Sequence, residues 1–290
     1  MRGTDRRRCV RGLLAAGFLL GFAGPAAARR VRRLTDPDLD AALVVEAASG
    51  KVIYARNAAA QRHPASLTKL MTLYLLFEAL RAHKLTLQTE IPVSAYAASQ
   101  PRAHLRLRAG STITVETALK AMIVRSANDA TVAVAEAVAG SESVFVVLMN
   151  AKARAFGMDD TFYDNATGLP DDQQITTAGD LVILTRRLIY DFPQYFPYFN
   201  TRSMTWRGRE YGTHDALIGD YPGVDGMKTG YIDASGYSTV TTVLRGKTRL
   251  IAVVMGGLTP AQRDEATIRL LDNAFAQTAA TEPRKQPGRR

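Results

Sequence analysis

The 290-residue sequence contains one cysteine, Cys9, and four histidines. A single cysteine cannot form a disulfide within the chain, so cysteine usage says nothing about the redox compartment. No histidine lies in an HExxH-type or other metal-ligand spacing, and no Cys-based zinc motif is present. No glycine-rich phosphate loop follows a predicted strand. The sequence therefore predicts a protein that uses no metal and no other cofactor.

Excess positive charge is also absent from most of the chain, although the formal net charge is +10. Thirteen of the 37 basic residues and one of the 27 acidic residues lie in residues 1–33 and 283–290. Residues 34–282 therefore hold 24 basic and 26 acidic residues, a net charge of −2. Because a charged terminus is usually a solvated end, we expect no nucleic-acid partner.

The first 28 residues have the layout of a secretory signal. Three arginines at 6–8 precede an apolar stretch at 13–22, and Ala26-Ala27-Ala28 fits a cleavage site. The apolar stretch is too short to span a bilayer. Cleavage after Ala28 would also remove the cysteine. We expect a periplasmic or extracellular protein that starts near Arg29, is at most peripheral at the membrane or wall, and has no stable membrane anchor.

Hydrophobic patterning predicts strands at both ends of the chain and helices in the middle. Apolar runs at 42–46 and 52–55 flank a Ser49-Gly50 turn, which is typical of a hairpin. Strands are also predicted at 87–93, 113–115, 204–206, 211–213, 225–228, 237–244 and 249–255, and helices at 70–80, 115–124, 129–138, 143–156, 177–190 and 260–275. We expect an α/β sandwich of α+β type, with N- and C-terminal strands in one sheet and an all-helical insertion.

The predicted helix at 70–80 is apolar on every face and is preceded by Lys69. A lysine on the first turn of a buried helix must find a partner or lose its proton, and a neutral lysine is a base. Ser66 lies one turn earlier on the same face, and Pro64 suits the first helical position. These residues fit an activated serine nucleophile. By itself, the Ser-x-x-Lys spacing fits an ordinary helix cap as well.

Two further short motifs follow along the chain. Ser126-Ala127-Asn128 lies between two predicted helices, where Asn128 fits either a cleft residue or the cap of the next helix. Lys228-Thr229-Gly230 ends a predicted strand, and a glycine there lets a ligand approach the backbone. A lysine at a strand end is more often solvated, so neither motif points to a site when it is taken alone.

In this order, the three motifs resemble those of the penicillin-interacting serine enzymes. The sequence is similar to the D-alanyl-D-alanine carboxypeptidases, the low-molecular-mass penicillin-binding proteins, over about residues 39–275. The similarity includes the runs 64–72, 126–130, 156–158, 165–169 and 224–230. It implies a β-lactamase/penicillin-binding transpeptidase-like fold, a mainly antiparallel sheet flanked by helices with an all-helical subdomain. We expect the catalytic domain at 29–277, between the signal at 1–28 and a basic tail at 278–290 whose polar, proline-containing composition predicts disorder.

The resemblance implies a penicillin-inhibited serine carboxypeptidase that removes the terminal D-alanine from peptidoglycan stem pentapeptides during cell-wall biogenesis. Its partners would be the stem peptide and, as covalent inhibitors, β-lactams. The implied catalytic residues are Ser66 as nucleophile, Lys69 as base and Ser126 as proton relay. The implied substrate-binding residues are Asn128, Lys228, Thr229, Gly230, Tyr231 and Arg263, with the backbone N–H groups of Ser66 and Tyr231 forming the oxyanion hole.

Two features depart from the family pattern or leave a role open. His214-Asp215 stands where the family often has an asparagine-rich run, so contacts to the stem peptide are expected to differ. Arg263, predicted on the first turn of the last helix, matches a family arginine and suits the substrate's terminal carboxylate. It equally fits a solvated residue that pairs with a neighbour such as Asp264.

Three alternative functions were weighed against the carboxypeptidase. A class A β-lactamase uses a glutamate to activate its deacylating water, and the sequence has no glutamate between Glu142 and Glu210. That absence disfavours the β-lactamase. A D,D-endopeptidase would use the same residues in a wider cleft and stays open. A non-catalytic wall-binding protein would have no use for an intact set of catalytic residues.

Overall fold

The computed structural model describes residues 34–101 and 103–281, and this part of the chain contains nine strands. They are β1 (Ala41–Glu46), β2 (Val52–Arg56), β3 (Glu90–Pro92), β4 (Thr112–Thr114), β5 (Ser203–Trp206), β6 (Arg209–Gly212), β7 (Val224–Ile232), β8 (Gly236–Arg245) and β9 (Thr248–Gly257). Five of them form one antiparallel sheet in the order β2-β1-β9-β8-β7. The two ends of the chain therefore share a sheet, as the sequence predicted, and β7 forms one edge of that sheet.

Strand β9 is covered on both of its faces. Successive side chains of a strand point to opposite faces of the sheet. Ile251 and Val253 accordingly belong to the main hydrophobic core, whereas Leu250 and Ala252 belong to a second core that includes Leu271. The continuous apolar run of this strand thus reflects a sheet with a packed layer on each side.

The described part of the chain contains eight α-helices, seven of them between β2 and β7. They are α1 (Lys69–Arg81), α2 (Ala95–Ala98), α3 (Val115–Val124), α4 (Asn128–Ala139), α5 (Glu142–Ala155), α6 (Ala178–Asp191), α7 (Leu217–Asp220) and α8 (Pro260–Thr281). The six longer helices were predicted within a few residues. The four-residue helices α2 and α7 were missed because one turn is too short to show a helical period.

Helix α1 lies in the middle of the main core. Every residue from Leu70 to Phe77 is buried, as the lack of a polar face predicted. The Phe77 ring stacks on Tyr195 with 5.0 Å between ring centroids and meets Phe192 edge-on at 5.6 Å. Such aromatic pairs contribute about 0.5–1.5 kcal/mol each beyond their buried area. The residues at the start of α1 are therefore held by a rigid element.

Two predicted boundaries differ from the structure. Ser66 lies on a 3₁₀ helix, Ala65–Thr68, and the α-helix begins only at Lys69. At the other end of the chain, α8 continues to Thr281, so the predicted disordered tail at 278–290 is wrong for its first four residues. The alanines in that segment favour a helix. Residues 282–290, like the predicted signal at 1–28, lie outside the described residues.

Within 34–101 and 103–281, no single helix has the length and hydropathy needed to cross a membrane. The consecutive helices α4 and α5 reach those values only as a pair that is bent by 81°.

Candidate active site

Ser66 lies on a strained turn immediately before α1. The φ angle of Ala65 is +48°, in the left-handed region that favours glycine, whereas the φ of −69° at Pro64 is the angle that proline prefers. A non-glycine residue in the left-handed region costs of the order of 1–3 kcal/mol and persists only where the surroundings enforce it. The residues that pack against this turn enforce the conformation of Ala65.

Two glycines hold this turn in place by close backbone packing. A Cβ atom on Gly168 would lie 1.8 Å from the carbonyl oxygen of Ala65, and a Cβ atom on Gly230 would lie 3.2 Å from the backbone nitrogen of Ser66. A side chain at position 168 is therefore sterically excluded, and one at 230 would have to displace its neighbours. The turn is clamped between the loop at 165–169 and the edge strand β7, so the backbone of Ser66 has little freedom to move.

Lys69 is completely buried behind the serine. Its Nζ lies 3.3 Å from Ser66 Oγ, 2.8 Å from Asn128 Oδ1 and 2.5 Å from the carbonyl oxygen of Thr167. Burial lowers the pKa of Lys69 well below its ordinary value, and the charge of Lys228 lowers it further, against the opposing effect of Glu142 and Asp129. The structure thus favours the neutral amine.

The neutral form also accounts for the three contacts of Lys69. An uncharged amine has two N–H donors and one lone pair. The two shorter contacts reach oxygens that can only accept, the Asn128 side-chain oxygen and the Thr167 carbonyl. In the neutral form the lone pair would remain for Ser66 Oγ, which lies 3.3 Å from Nζ, and the amine could then take the hydroxyl proton.

The Ser126-x-Asn128 motif forms the tight loop between α3 and α4. Ser126 has a φ of +56°, is 7% exposed, and its buried Oγ has no hydrogen-bond partner among the described residues. Asn128 is the first residue of α4, and its side chain does not cap that helix. Instead its Nδ2 donates to the carbonyl of Pro101 at 3.0 Å, and its Oδ1 accepts from Lys69. The cleft interpretation of this motif agrees with these contacts better than the helix-cap interpretation.

The Lys228-Thr229-Gly230 motif lies in the middle of the edge strand β7, not at its end as predicted. The Lys228 side chain is 2% exposed, and its Nζ donates to the carbonyl of Thr229 at 2.8 Å. Burial lowers the pKa of Lys228 to about 7, although the nearby carboxyl of Asp215 favours the charged form. The alternative of a solvated lysine is therefore wrong.

Arg263 combines parts of the two interpretations left open by the sequence. It is 3% exposed and lines the cleft, yet its Nε and Nη2 donate to Asp264 Oδ1 at 2.8 and 2.6 Å. A Cβ atom on Gly257 would lie 2.8 Å from the Cβ of Arg263. Because Gly257, at the end of β9, has no side chain, α8 can approach the sheet and place Arg263 at the cleft.

These residues surround one open cleft of about 1260 Å³. Seven of the nine predicted site residues line the cleft: Ser66, Ser126, Asn128, Thr229, Gly230, Tyr231 and Arg263. Lys69 and Lys228 do not line it and are buried. Tyr231 is 47% exposed, stacks on Tyr237 with 4.2 Å between centroids, and donates to Asp233 Oδ1 at 2.5 Å. The bulky side chain at 231 therefore turns to the surface and leaves the strand backbone free to face a substrate.

The roles of several residues that build this site were not predicted from the sequence. Thr167 supplies a carbonyl to Lys69, and Glu142 holds the same loop by accepting from the Ala166 N–H at 2.9 Å. Asp215 is 3% exposed near Lys228, and burial raises its pKa to about 6. A contact made by a backbone carbonyl oxygen cannot be predicted from residue type. The run at 165–169 was noted for its similarity to the family, but its contact with Lys69 was not predicted.

The fold and the site define the class of protein. The sheet shared by both chain ends, the helical middle and the serine turn clamped beside a buried lysine are those of penicillin-binding serine enzymes. A solved structure, the D-alanyl-D-alanine carboxypeptidase DacD from Francisella tularensis, matches with a TM-score of 0.80 at 28% identity, over 88% of this chain and 76% of that one. Penicillin-Binding Protein D2 from Listeria monocytogenes in the ampicillin-bound form matches with a TM-score of 0.72 at 30% identity, over 84% of this chain and 100% of that one.

The family follows from the sequence comparisons. The sequence model of the family described as D-alanyl-D-alanine carboxypeptidase matches residues 30–259. The D-alanyl-D-alanine carboxypeptidase DacF of Bacillus subtilis is 36% identical over 282 residues, 93% of this chain and 72% of that protein. The chain belongs to the D-alanyl-D-alanine carboxypeptidase family, serine peptidases that act on peptidoglycan.

Proposed function

We propose that this protein hydrolyses the terminal D-alanyl-D-alanine bond of peptidoglycan stem peptides through an acyl-enzyme on Ser66, with Lys69 as the general base. The observation that carries the proposal is the contact set of the buried Lys69, whose Nζ lies 2.8 Å from Asn128 Oδ1, 2.5 Å from the Thr167 carbonyl oxygen and 3.3 Å from Ser66 Oγ. A neutral amine would donate to the first two oxygens and keep its lone pair for the serine hydroxyl. A serine activated in this way needs no histidine.

In the acylation step, Ser66 Oγ attacks the carbonyl carbon of the penultimate D-alanine, and the hydroxyl proton moves to Lys69. The backbone N–H groups of Ser66 and Tyr231 would stabilise the oxyanion. When the C–N bond breaks, the departing amine needs a proton, which Ser126 would pass on with the help of Lys228. The unpartnered buried hydroxyl of Ser126 supports this relay role, because a hydroxyl can donate and accept in the same step.

The substrate would be held between the Ser126–Asn128 loop and the edge strand β7. Asn128 would hold the peptide amide, and Thr229 and Gly230 would line the peptide on the strand side. Lys228, Thr229 and Arg263 would anchor the terminal carboxylate. The burial of Arg263 supports this role, because a charge-assisted hydrogen bond gains strength away from water. Water then hydrolyses the ester on Ser66 and releases the shortened peptide.

Incubation with purified stem pentapeptide and with a cross-linked peptidoglycan dimer, followed by mass spectrometry, tests this function. We expect the pentapeptide to lose one D-alanine and the dimer to remain intact. Cleavage of the dimer at a comparable rate would instead support the D,D-endopeptidase. No turnover of either substrate would leave a wall-binding protein.

The same site should react with β-lactams and keep the adduct. Glu142 accepts hydrogen bonds from the Ala166 N–H in the loop at 165–169 and from the Tyr96 hydroxyl, and it does not line the cleft. The absence of a glutamate from the residues lining the cleft supports slow deacylation. Mass spectrometry should locate labelled penicillin on Ser66. A label on another residue, or hydrolysis of the adduct within seconds, would contradict the proposal.

We further propose export with cleavage after Ala28 and a catalytic domain that begins near residue 29 and includes α8. The basic, apolar and Ala-x-Ala layout of residues 1–28 supports export. N-terminal sequencing of the native protein from fractionated cells tests this. A protein found only in detergent-treated membranes and still carrying residues 1–28 would contradict it.

A further inference from the structure

One wall of the cleft carries a cluster of arginines that the proposed reaction does not use. Arg106, Arg108, Arg125, Arg207 and Arg209 all line the cleft. In the described part of the chain, none of their side chains makes a hydrogen bond or an ion pair. The one carboxylate among the lining residues, Asp233, accepts a hydrogen bond from Tyr231. The wall therefore carries a local excess of positive charge without counter-ions, although residues 34–282 as a whole have a net charge of −2.

The tertiary structure places three of these charges, those of Arg125, Arg207 and Arg209, at the β5–β6 hairpin. The guanidinium carbons of Arg125 and Arg209 lie 5.3 and 5.1 Å from the centroid of the same ring, Tyr211. Arg207 lies 5.2 Å from the centroid of the Trp206 ring. At exposed sites a cation–π contact contributes only about 0.5–1 kcal/mol, which offsets part of the repulsion between two cations that share one ring. A bound anion would remove that repulsion.

Two buried hydrogen-bond donors in the same cluster have no partner among the described residues. They are Arg125 Nε and Trp206 Nε1. Both atoms are obligatory donors, and a buried donor without an acceptor is rare in native structures. A small rotation of these side chains toward an acceptor would therefore be favourable. Groups that only accept hydrogen bonds and carry negative charge, such as carboxylates, meet both requirements.

The cluster continues toward the proposed anchor of the terminal carboxylate. Arg125 immediately precedes Ser126 in the chain. His214 also lines the cleft and, although accessible to solvent, has a pKa of about 4, because desolvation of the ring and the charges of Arg125, Lys228 and Arg263 disfavour its protonation. His214 is therefore neutral at pH 7 and adds no positive charge of its own to the three cations near it. A ligand that reaches from Ser66 to the hairpin would follow a continuous positive strip.

We propose that Arg125 and Arg209, which share the Tyr211 ring, together with Arg207 beside Trp206, form a subsite for a second carboxylate of the stem peptide, separate from the terminal α-carboxylate. This inference rests on the proposed function, because it takes the occupant to be the reacting peptide. The stem peptide is favoured over a separate anionic polymer because the cluster shares one cleft with Ser66 and begins next to Ser126. The subsite would select stems whose internal carboxylates are free over stems in which they are amidated.

The test measures selectivity between two stem pentapeptides that both end in D-Ala-D-Ala, one with its internal carboxylates free and one with them amidated. For the parent protein we expect kcat/KM to be about tenfold higher on the free acid at low salt, an effect worth one decade or about 1.4 kcal/mol. In the double variant Arg207→Ala/Arg209→Ala the ratio should fall close to one. The variant Arg154→Ala, which removes an exposed arginine of α5 outside the cleft, should keep the parent ratio.

Two controls make the result specific. The parent's preference should shrink between about 0.05 and 0.5 M salt, since the Debye length falls over that range. Thermal melting must show that the double variant is folded. Equal hydrolysis of the free and amidated peptides by the parent would overturn the subsite and leave the proposed function intact. Failure of the parent to hydrolyse either peptide would overturn the proposed function itself.

A phosphate-rich wall polymer is the competing occupant. If the double substitution abolished binding of such a polymer but left the peptide ratio unchanged, the cluster would be a polymer site and the proposal would be wrong.

Discussion

The floor of the cleft, Ser66 with Lys69 behind it, and the arginine wall differ in how their polar groups are paired. On the floor, Lys69 Nζ contacts oxygen atoms of Ser66, Asn128 and Thr167. A Cβ atom on Gly168 would clash with the carbonyl oxygen of Ala65. On the wall, Arg207 and Arg209 are exposed and make no hydrogen bond in the described part of the chain. The floor is therefore arranged before any substrate arrives, whereas the wall is completed by what binds. Changes to the floor should affect every substrate, and changes to the wall should alter the choice among substrates.

The largest expected effect is removal of the base from the floor. Lys69→Met keeps most of the side-chain volume and removes a buried polar group, so the protein should remain folded. We expect kcat/KM on D-Ala-D-Ala peptides to fall by about 10²–10⁴-fold, the usual contribution of a positioned general base, and acylation by penicillin to slow in parallel. Rates measured beside circular dichroism test this. A folded variant with parental acylation would mean that another group takes the serine proton.

The next effect tests whether steric clamping of the turn matters for the chemistry. A Cβ atom at position 168 would clash with the Ala65 carbonyl, so Gly168→Ala should displace Ser66. A misplacement of about 1 Å can cost about 10²-fold in rate, and we expect a loss of that order in kcat. Gly140→Ala is the matched control, because Gly140 has nearly the same φ, +84° against +83°, with nothing within 4 Å of a built Cβ.

The two glycine variants separate clash from backbone strain. Both should lower the melting temperature, since both place an alanine at positive φ. Only the variant at 168 should lose activity. Equal losses in the two variants would show that general destabilisation, rather than displacement of the serine, explains the effect.

Arg263 lies between the two types of surface, because it is buried like the floor but faces the cleft like the wall. Arg263→Ala should lower kcat/KM on D-Ala-D-Ala peptides by about 10- to 100-fold, from the loss of a charge-assisted hydrogen bond of about 1.5–3 kcal/mol. A peptide amidated at its C-terminal carboxylate should be a poor substrate for the parent and lose little more in the variant. A variant that is as active as the parent would leave the carboxylate to Lys228 and Thr229.

The last effect concerns the dependence of stability on pH at the buried Lys228. Lys228 has a pKa of about 7 in the folded protein, below its ordinary value of 10.5. Between these two values the unfolded chain binds a proton that the folded protein does not, so the lysine makes stability rise with pH across that window. The free energy of unfolding of the parent, relative to Lys228→Met, should therefore increase from about pH 7 to pH 10 in urea titrations. A constant difference would show that Lys228 keeps its proton when folded.

Particular residues show how far the sequence could predict this site. Ser66, Lys69 and Asn128 were selected from short motifs. In the structure, Lys69 Nζ lies 3.3 Å from Ser66 Oγ and 2.8 Å from Asn128 Oδ1. Their chemistry is carried by side-chain type and spacing, which a sequence displays. The position of Lys228 within β7 was misjudged because the strand continues through Gly230 to Ile232, and its pairing with β8 overrides the usual strand-breaking tendency of glycine.

By itself, the sequence determined the order of the strands and of the six longer helices, the buried nature of α1 and the identity of the candidate nucleophile and base, because each of these depends on residues that are near one another in the chain. Only the tertiary structure decided that the Thr167 carbonyl meets Lys69 across 98 positions, that Arg263 is buried and that two arginines share the Tyr211 ring. Burial, desolvation and charge proximity set the pKa of each lysine, and these quantities arise only when distant segments pack together.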